Sequence, residues 1–455
     1  MKRLFQALTV AATLAAPVAF AQGTALSPQE MRAAVIVSLE SRHHQQAADL
    51  AEALVARDAK DHDALLLSSR AHRNLGDIPT ARNRASQAWD LSRTDEQHYA
   101  AALMMAQALA SGDQRMRAQF WLRRAAHHAP DERLRRVAVR DFQYVRARTP
   151  VTVQLSFNIA PNSNINNGST TGRSTFFDPF TREFVEVSLG GTALALSGVE
   201  TSLGAALRYR LHEKSRSATD LTFSAYHQTF ALSSSAKATA PGAKGSDFAT
   251  TSLAAGLTRR WKTEDMRGEY TLGALIGATR YAGDPYAEFA RLSAGMTRPL
   301  APRTRLRLDV SAEQVRGAAA PHADKIGLDA NLRHRLQQGG DLTWSIGLTD
   351  STSSQDVADY TGLSLGLTHA LARPLWGADI SYGLSLSSRD YPRTPFAAGG
   401  RADNRVAAHL QMWFRDLDYY GFSPVLSLSA SRTASNVGLY DADAVGMELG
   451  VRSTF

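Results

Sequence analysis

The run Val445-Gly446-Met447-Glu448-Leu449-Gly450-Val451-Arg452-Ser453-Thr454-Phe455 puts apolar side chains at alternate positions: Val445, Met447, Leu449, Val451 and Phe455. Period two is strand spacing, because successive side chains of an extended chain point to opposite faces. The intervening Gly446, Glu448, Gly450, Arg452 and Thr454 give the second face a small or polar character. A strand greasy on one side and wet on the other fits the wall of a closed barrel as well as the edge of a soluble sandwich. Upstream repetition of the pattern decides between them.

Working back from that strand, the same alternation recurs in Leu426, Leu428, Ala430; in Leu410, Met412, Phe414; in Ile380, Tyr382, Leu384, Leu386; and in Leu363, Leu365, Leu367. It continues through Leu342 to Leu348, Ile326 to Leu332, Leu306 to Val310, Leu292 to Met296, Tyr270 to Ile276, Leu253 to Leu257, Leu221 with Phe223, and Val151 to Ile159, and a further strand is placed across Thr201 to Leu211. About fourteen strands result, each near the length that crosses a bilayer at a tilt. The links between them alternate in length. Short ones fall near His212 to Ser217, Lys262 to Asp265, Arg298 to Arg303, Gln337 to Gly340, Ala372 to Trp376 and Asp416 to Gly421. Longer ones fall at Pro161 to Leu189, Ala231 to Asp247, Gly317 to Asp324, Asp350 to Asp359, Ser388 to Ala402 and Thr433 to Asp443, with a shorter exception near Ala282 to Pro285. Strict alternation is a membrane-barrel habit. An even strand number puts both ends of the barrel on the short-turn side, expected to be the periplasm. Arg305, Arg307, Asp309, Glu313, Asp329, Asn331, Arg333, His409, Gln411, Arg415, Glu448 and Arg452 are expected on the inner face, lining a wet passage or bracing the wall by cross-strand pairs.

Before Pro150 the period is helical. Ala64, Leu67, Ala71 and Leu75 precede Gly76-Asp77, and Ala81, Ala85, Ala88 and Trp89 follow. Some thirty residues on, Leu109 and Ser111-Gly112-Asp113 lead to Ala118, Trp121, Leu122 and Ala125. Paired amphipathic helices with small inward residues at that period resemble tetratricopeptide repeats, whose stacks leave a groove for extended protein segments. An earlier pair (Met31 to Leu39, Ala47 to Leu54) and a closing helix (Leu134 to Val145) complete the unit. Arg133, Arg135, Arg136, Arg140, Arg146 and Arg148 precede the first strand, a solvated face suited to anionic lipid head groups or to a client.

Met1-Lys2-Arg3, an apolar run from Leu8 to Phe20 and Ala19-Phe20-Ala21 form a secretory signal peptide, with cleavage expected after Ala21. The expected organisation is therefore a signal peptide over 1–21, a tetratricopeptide-like α-helical solenoid over 22–149 and a transmembrane antiparallel β-barrel over 150–455, a multidomain α + β chain. The 455 residues contain no cysteine, so disulfides and thiolate chemistry are excluded. A net charge of +8 comes from arginines spread over both halves without interleaved aromatics, which does not describe a nucleic-acid surface. No Gly-x-Ser-x-Gly elbow, His-Glu-x-x-His or phosphate loop is present; no enzymatic activity, cofactor or metal is expected.

Two segments carry a family resemblance. Phe157-Asn158-Ile159-Ala160-Pro161-Asn162-Ser163-Asn164-Ile165-Asn166-Asn167 is one; the C-terminal set Arg401-Ala402-Asp403-Asn404-Arg405, Trp413-Phe414-Arg415-Asp416, Gly421-Phe422-Ser423-Pro424, Ser435-Asn436-Val437-Gly438-Leu439-Tyr440 and the final Phe455 is the other. Together they resemble surface lipoprotein assembly modifiers. The resemblance implies a fourteen-stranded outer-membrane barrel that moves partner proteins, lipidated or soluble, from periplasm to cell surface, the helical unit receiving the client. It marks Asn162, Asn164, Asn166, Arg401, Asp403, Arg415, Ser435, Asn436 and Tyr440 as candidates for the client path, and Phe455 as the signal read by the barrel assembly machinery. Asparagines also cap backbone groups in tight turns, and Arg401 is expected to pair with Asp403 near the rim. The insert Phe176 to Phe184 is expected as a surface hairpin or an inward gate. Two other readings of a helical-repeat barrel are an exopolysaccharide export pore, whose lumen should carry one sign of charge or aromatic platforms, and a general porin-like channel.

Overall fold

The computed structural model describes residues 26–178 and 180–453; the expected signal peptide and the terminal Phe455 lie outside the described residues. The chain divides into two compact units, Met1–Asp113 and Gln114–Phe455. In the first, α1 (Pro28–Glu40), α2 (His44–Arg57), α3 (His62–Leu75), α4 (Ile78–Leu91) and α5 (Asp95–Ser111) follow one another. Each helix packs on the next, and α3 also touches α1 and α5, the layering of a solenoid. Alanines make that close approach feasible: Ala47, Ala51, Ala64, Ala71, Ala88 and Ala101 are fully buried with Leu54 and Leu65. Helix starts are set by side-chain caps, Asp61 accepting from the Ala64 N–H at 3.1 Å and Asp77 from the Thr80 N–H at 3.3 Å. Gly76, at φ +87°, ends α3 in the left-handed conformation that a side chain disfavours.

The second unit opens with α6 (Arg115–His127) and α7 (Glu132–Arg148) and continues into sheet. Its strands are β1 (Val151–Asn162), β2 (Arg173–Asp178), β3 (Glu183–Ser188), β4 (Gly198–Lys214), β5 (Ser217–Leu232), β6 (Thr250–Lys262), β7 (Glu269–Tyr281), β8 (Asp284–Ala301), β9 (Thr304–Gly317), β10 (Ala323–Arg335), β11 (Asp341–Thr352), β12 (Tyr360–Ala370), β13 (Asp379–Tyr391), β14 (Arg401–Trp413), β15 (Phe422–Ser435) and β16 (Ala442–Ser453). All but β2 and β3 form one closed antiparallel barrel of fourteen strands, in which β1 lies between β4 and β16. β2 and β3 pair separately as a hairpin in the first long loop, so the insert expected there is a hairpin. A short helix, α8 (Ser234–Thr239), sits in the second long loop.

The expected alternation is the observed one. Leu155, Leu203, Leu253, Ile276, Leu292, Val310, Ile346, Leu384 and Val445 point outward and are exposed, as a lipid-facing band requires. Where a soluble sandwich would bury such a row, this sheet turns it out all the way round. Leu300, Trp376, Leu417 and Tyr419 stand exposed at the short turns, and Trp261 and Tyr270 lie 5.9 Å apart at the same end, the position of an interfacial aromatic girdle.

Candidate functional site at the closing seam

The inner face follows from the ladders, since directly paired residues share a face. From Asp309 the row runs through Asp329, Gly347, Ser364, Ser387 and Arg405 to Thr433. A parallel row runs Asn331, Ser345, Gly366, Ser385, Ala407, Ser431. Serine and glycine dominate, so the wall is polar yet projects little into the lumen. The charges on it are of both signs, and several meet: Arg307 Nη2 donates to Asp309 at 3.0 Å, Arg333 to Asp341 at 2.7 Å, Arg291 Nε to Glu313 at 2.7 Å, and Lys325 lies 3.6 Å from the same Glu313.

Closure is uneven. β1 pairs with β4 along its whole length, twelve register pairs from Val151↔Tyr209 to Asn162↔Gly198. With β16 it makes three: Asn158↔Gly450, Ile159↔Leu449 and Asn162↔Gly446. Pro161, within that stretch, has no N–H to donate. Continuing the register toward the short turns would set Phe157 against Val451 and Ser156 against Arg452; among the described residues these are not ladder partners. The neighbouring Leu155 is 73% exposed, more than any other large apolar residue of the barrel strands described.

Each end of this seam is held by a different device. At the long-loop end the asparagine segment stitches it. Ser163 N–H donates to Val445 O at 3.0 Å, and Val445 N–H to Ser163 Oγ at 2.8 Å. Buried Asn164 donates to Gly168 O at 2.9 Å and Asp443 O at 3.2 Å, and accepts from Gly168 N–H. Asn166 donates to Thr192 O and Leu194 O, both at 2.8 Å, and accepts from Leu196 N–H; Asn162 accepts from Asn164 N–H at 2.9 Å. The loop so formed packs in two directions. Ile165 and Leu196 join Leu232, Ala236 and Ala240 in a small core. On the other side Thr175 Oγ1 donates to Phe396 O at 2.8 Å, the Phe176 and Phe396 rings lie 6.0 Å apart, and Ser169 Oγ donates to Gly438 O at 2.6 Å.

At the short-turn end the fastener is α6. Arg123 donates to Gly421 O at 2.9 Å, Tyr420 O at 3.3 Å and Ser453 Oγ at 2.8 Å, with its guanidinium 4.8 Å from the Phe142 ring centre and 4.5 Å from that of Phe422. Burial, with the charge of Arg146 nearby, pushes its pKa down to about 10. His127 stacks on Tyr420 at 4.1 Å, and Arg135 in α7 lies 3.6 Å from Asp418. The helix pair thus grips the β14–β15 turn and the end of β16 while running directly into β1.

Most of the residues singled out from sequence converge at the long-loop end. Arg401, 6% exposed, is sandwiched between the Tyr391 and Tyr440 rings at 3.5 and 3.6 Å, with Nε 3.2 Å from Asp403. Ser435 Oγ donates to Asp403 at 2.7 Å, and Asn436 accepts from Ala402 N–H and donates to Gly400 O. Burial pushes the Tyr440 hydroxyl pKa up. Arg415 stands apart: it lies in the turn after β14, pairs with Asp379 and covers the Trp413 ring at 4.1 Å, so the inward orientation expected for it on the barrel wall is replaced by a place at the short-turn rim. Sequence reasoning missed Arg123 and the role of Ser453. Arg123 sits among Trp121, Leu122 and Arg124 and reads as one more helical cation; of the partners described above, Gly421 and Phe422 belong to a segment that carries the family resemblance.

A family model described as "Surface lipoprotein assembly modifier" matches residues 152–455. No curated protein matches the chain. Among solved structures, an outer-membrane channel from Pseudomonas putida F1 is similar at 11% identity and TM-score 0.32, over 66% of this chain and 95% of that one. A BenF-like porin from Pseudomonas fluorescens Pf-5 gives 5% and 0.36, over 66% and 98%; CdiB from Acinetobacter baumannii gives 8% and 0.36, over 65% and 60%.

Proposed function

The chain belongs to the surface lipoprotein assembly modifier family, and from that premise we propose that this outer-membrane barrel carries client proteins, lipid-anchored or soluble, from the periplasm to the cell surface. The helical stack of the first unit, of tetratricopeptide type, receives the client in the periplasm. The observation that carries the reading is the inner wall. Serine and glycine leave room and offer hydrogen bonds without fixed sequence preference, and its charges are of both signs, several of them paired across or along strands, which suits a polypeptide of arbitrary composition. A pore for an anionic polysaccharide would need a dense lining of charge of one sign or aromatic platforms. This wall pairs arginines with Asp309, Glu313 and Asp341.

The test is deletion of the gene and complementation with the full chain, reading protease accessibility of surface proteins on intact cells. Retention of a specific protein in the periplasm, with polymer secretion unchanged and display restored by the full chain, is the expected result. Unaltered display of every surface protein would overturn the reading.

A further inference from the structure

We propose that the β1–β16 seam is a lateral slot joining lumen and bilayer, and that its occupant during transport is an extended segment of the client, the stretch between its lipid-modified terminus and its folded body. The proposal rests on the translocator reading above.

Three observations converge on it. The ladder between β1 and β16 is confined to Asn158–Asn162 and Gly446–Gly450, leaving Ser156 and Phe157 without register pairs to Arg452 and Val451. This stretch lies at membrane depth, because Leu155, Phe157 and Val451 are outward-facing and exposed in the apolar band. Interrupted pairing there is costly in hydrocarbon, which is why membrane barrels otherwise close completely. An extended peptide lying between the two edges would supply the missing rungs as an added strand. Finally, the two ends of the seam are fastened differently. The long-loop end is stitched through Ser163 and Asn164 to Val445 and Asp443. The other end of β16 is held through Ser453 to Arg123, on a helix pair outside the sheet. The short-turn end is thus the one that a movement of the helix pair can release, and it is the side where a client arrives.

The chemistry of a lipidated client selects this occupant. Acyl chains have no favourable place in a lumen walled by serine, glycine and paired ions, and a hydrated polypeptide has none in the bilayer core. A slot in the wall lets each part stay in its own solvent while the linker between them slides through.

The chain has no cysteine, so the slot can be locked cleanly. Ser156→Cys with Arg452→Cys spans the interrupted stretch; Ile346→Cys with Leu365→Cys spans a paired position on the lipid face of the continuous β11–β12 ladder and serves as control. If oxidation does not join the first pair, a cleavable bifunctional maleimide bridges it. With the lipid-anchored client identified by the deletion experiment, locking the seam is expected to lower surface display at least about tenfold, cleavage of the link to restore it, and the control lock to leave it unchanged. Wild-type display with the seam locked would overturn the slot. A photo-crosslinker at Leu155 is expected to capture the client near its lipidated terminus; capture of phospholipid alone would overturn the choice of occupant. If the reduced double-cysteine protein and the wild type both leave the client in the periplasm, the translocator reading fails instead.

Discussion

Arg123 and Ser453 lie 330 positions apart and meet at 2.8 Å, tying a helix that precedes the barrel to the end of its last strand. The same guanidinium satisfies the carbonyls of Tyr420 and Gly421, so one side chain holds both a turn and a strand end.

Arg123→Ala removes the hydrogen bonds to Tyr420, Gly421 and Ser453 and the contacts with the Phe142 and Phe422 rings while relieving a buried charge; a net loss of about 2–3 kcal/mol is expected. It should appear as a lower unfolding temperature in detergent and faster proteolysis near Thr149. The folded-state pKa is lowered from arginine's ordinary value to about 10. Between those two values the unfolded chain binds more protons, so the arginine's contribution to stability rises with pH there. At neutral pH it is protonated in both states. The difference between wild type and Arg123→Ala should therefore be flat from about pH 6 to about pH 9.

Glu52 is the acid node of the helical stack, accepting from Ser68 Oγ at 2.6 Å and from Arg84 Nε and Nη2 at 3.0 and 2.6 Å. Burial pushes its pKa up, but the bonds from Arg84 and Ser68, with the charges of Arg84 and His72, outweigh that and leave it below the ordinary glutamate value. A carboxylate so depressed adds stability above its unfolded value and loses it as pH falls through the folded one. Thermal melts of the full chain followed by helical circular dichroism should show acid destabilisation of the helical transition that is diminished in Glu52→Gln.

Arg401→Ala leaves Asp403 without this cation and removes the plate between Tyr391 and Tyr440; a local cost of about 1–3 kcal/mol is expected. Added protease on intact cells should then cleave the loops around Gly400 and Asn436 faster. Arg401→Lys should rescue little, because an ammonium cannot present two flat faces to two rings.

Leu292→Arg and Ser293→Arg differ by one position and one face. Leu292, 65% exposed and midway along β8, faces lipid, where arginine costs about 2–4 kcal/mol; Ser293 belongs to the inner row with Ser311 and Gly327. Heat-modifiable gel migration should be weakened for the first and retained for the second.

Period alone revealed the barrel, because a residue's face in a sheet depends only on parity. Rows such as Leu363, Leu365 and Leu367 could not have served a helix, whose buried face needs spacings of three and four, and the barrel strands stand where alternation, with one strand added across Thr201 to Leu211, placed them. The seam was not legible, since the number of rungs between β1 and β16 depends on strand stagger and on Pro161 falling opposite Met447 rather than on either strand's pattern. Nor was the grip of Arg123: the change of period at Pro150 marks where helix becomes strand, but says nothing of which helix reaches a turn 297 positions later. The asparagines were visible as turn formers, and Arg401 with Asp403 as a pair; the two tyrosines that enclose Arg401 come from separate segments and carried no mark of it.

The route from α7 into β1 spans only Thr149 and Pro150, while α6 holds the far terminus of the sheet. Circularisation of the barrel thereby ceases to be a search by two remote chain ends. For a loop the size of the whole strand set, that search would cost about 5 kcal/mol of entropy; a helical hairpin joined to the first strand and bonded to the end of the last replaces it with a short-range docking step and fixes which strand must become the neighbour of the first.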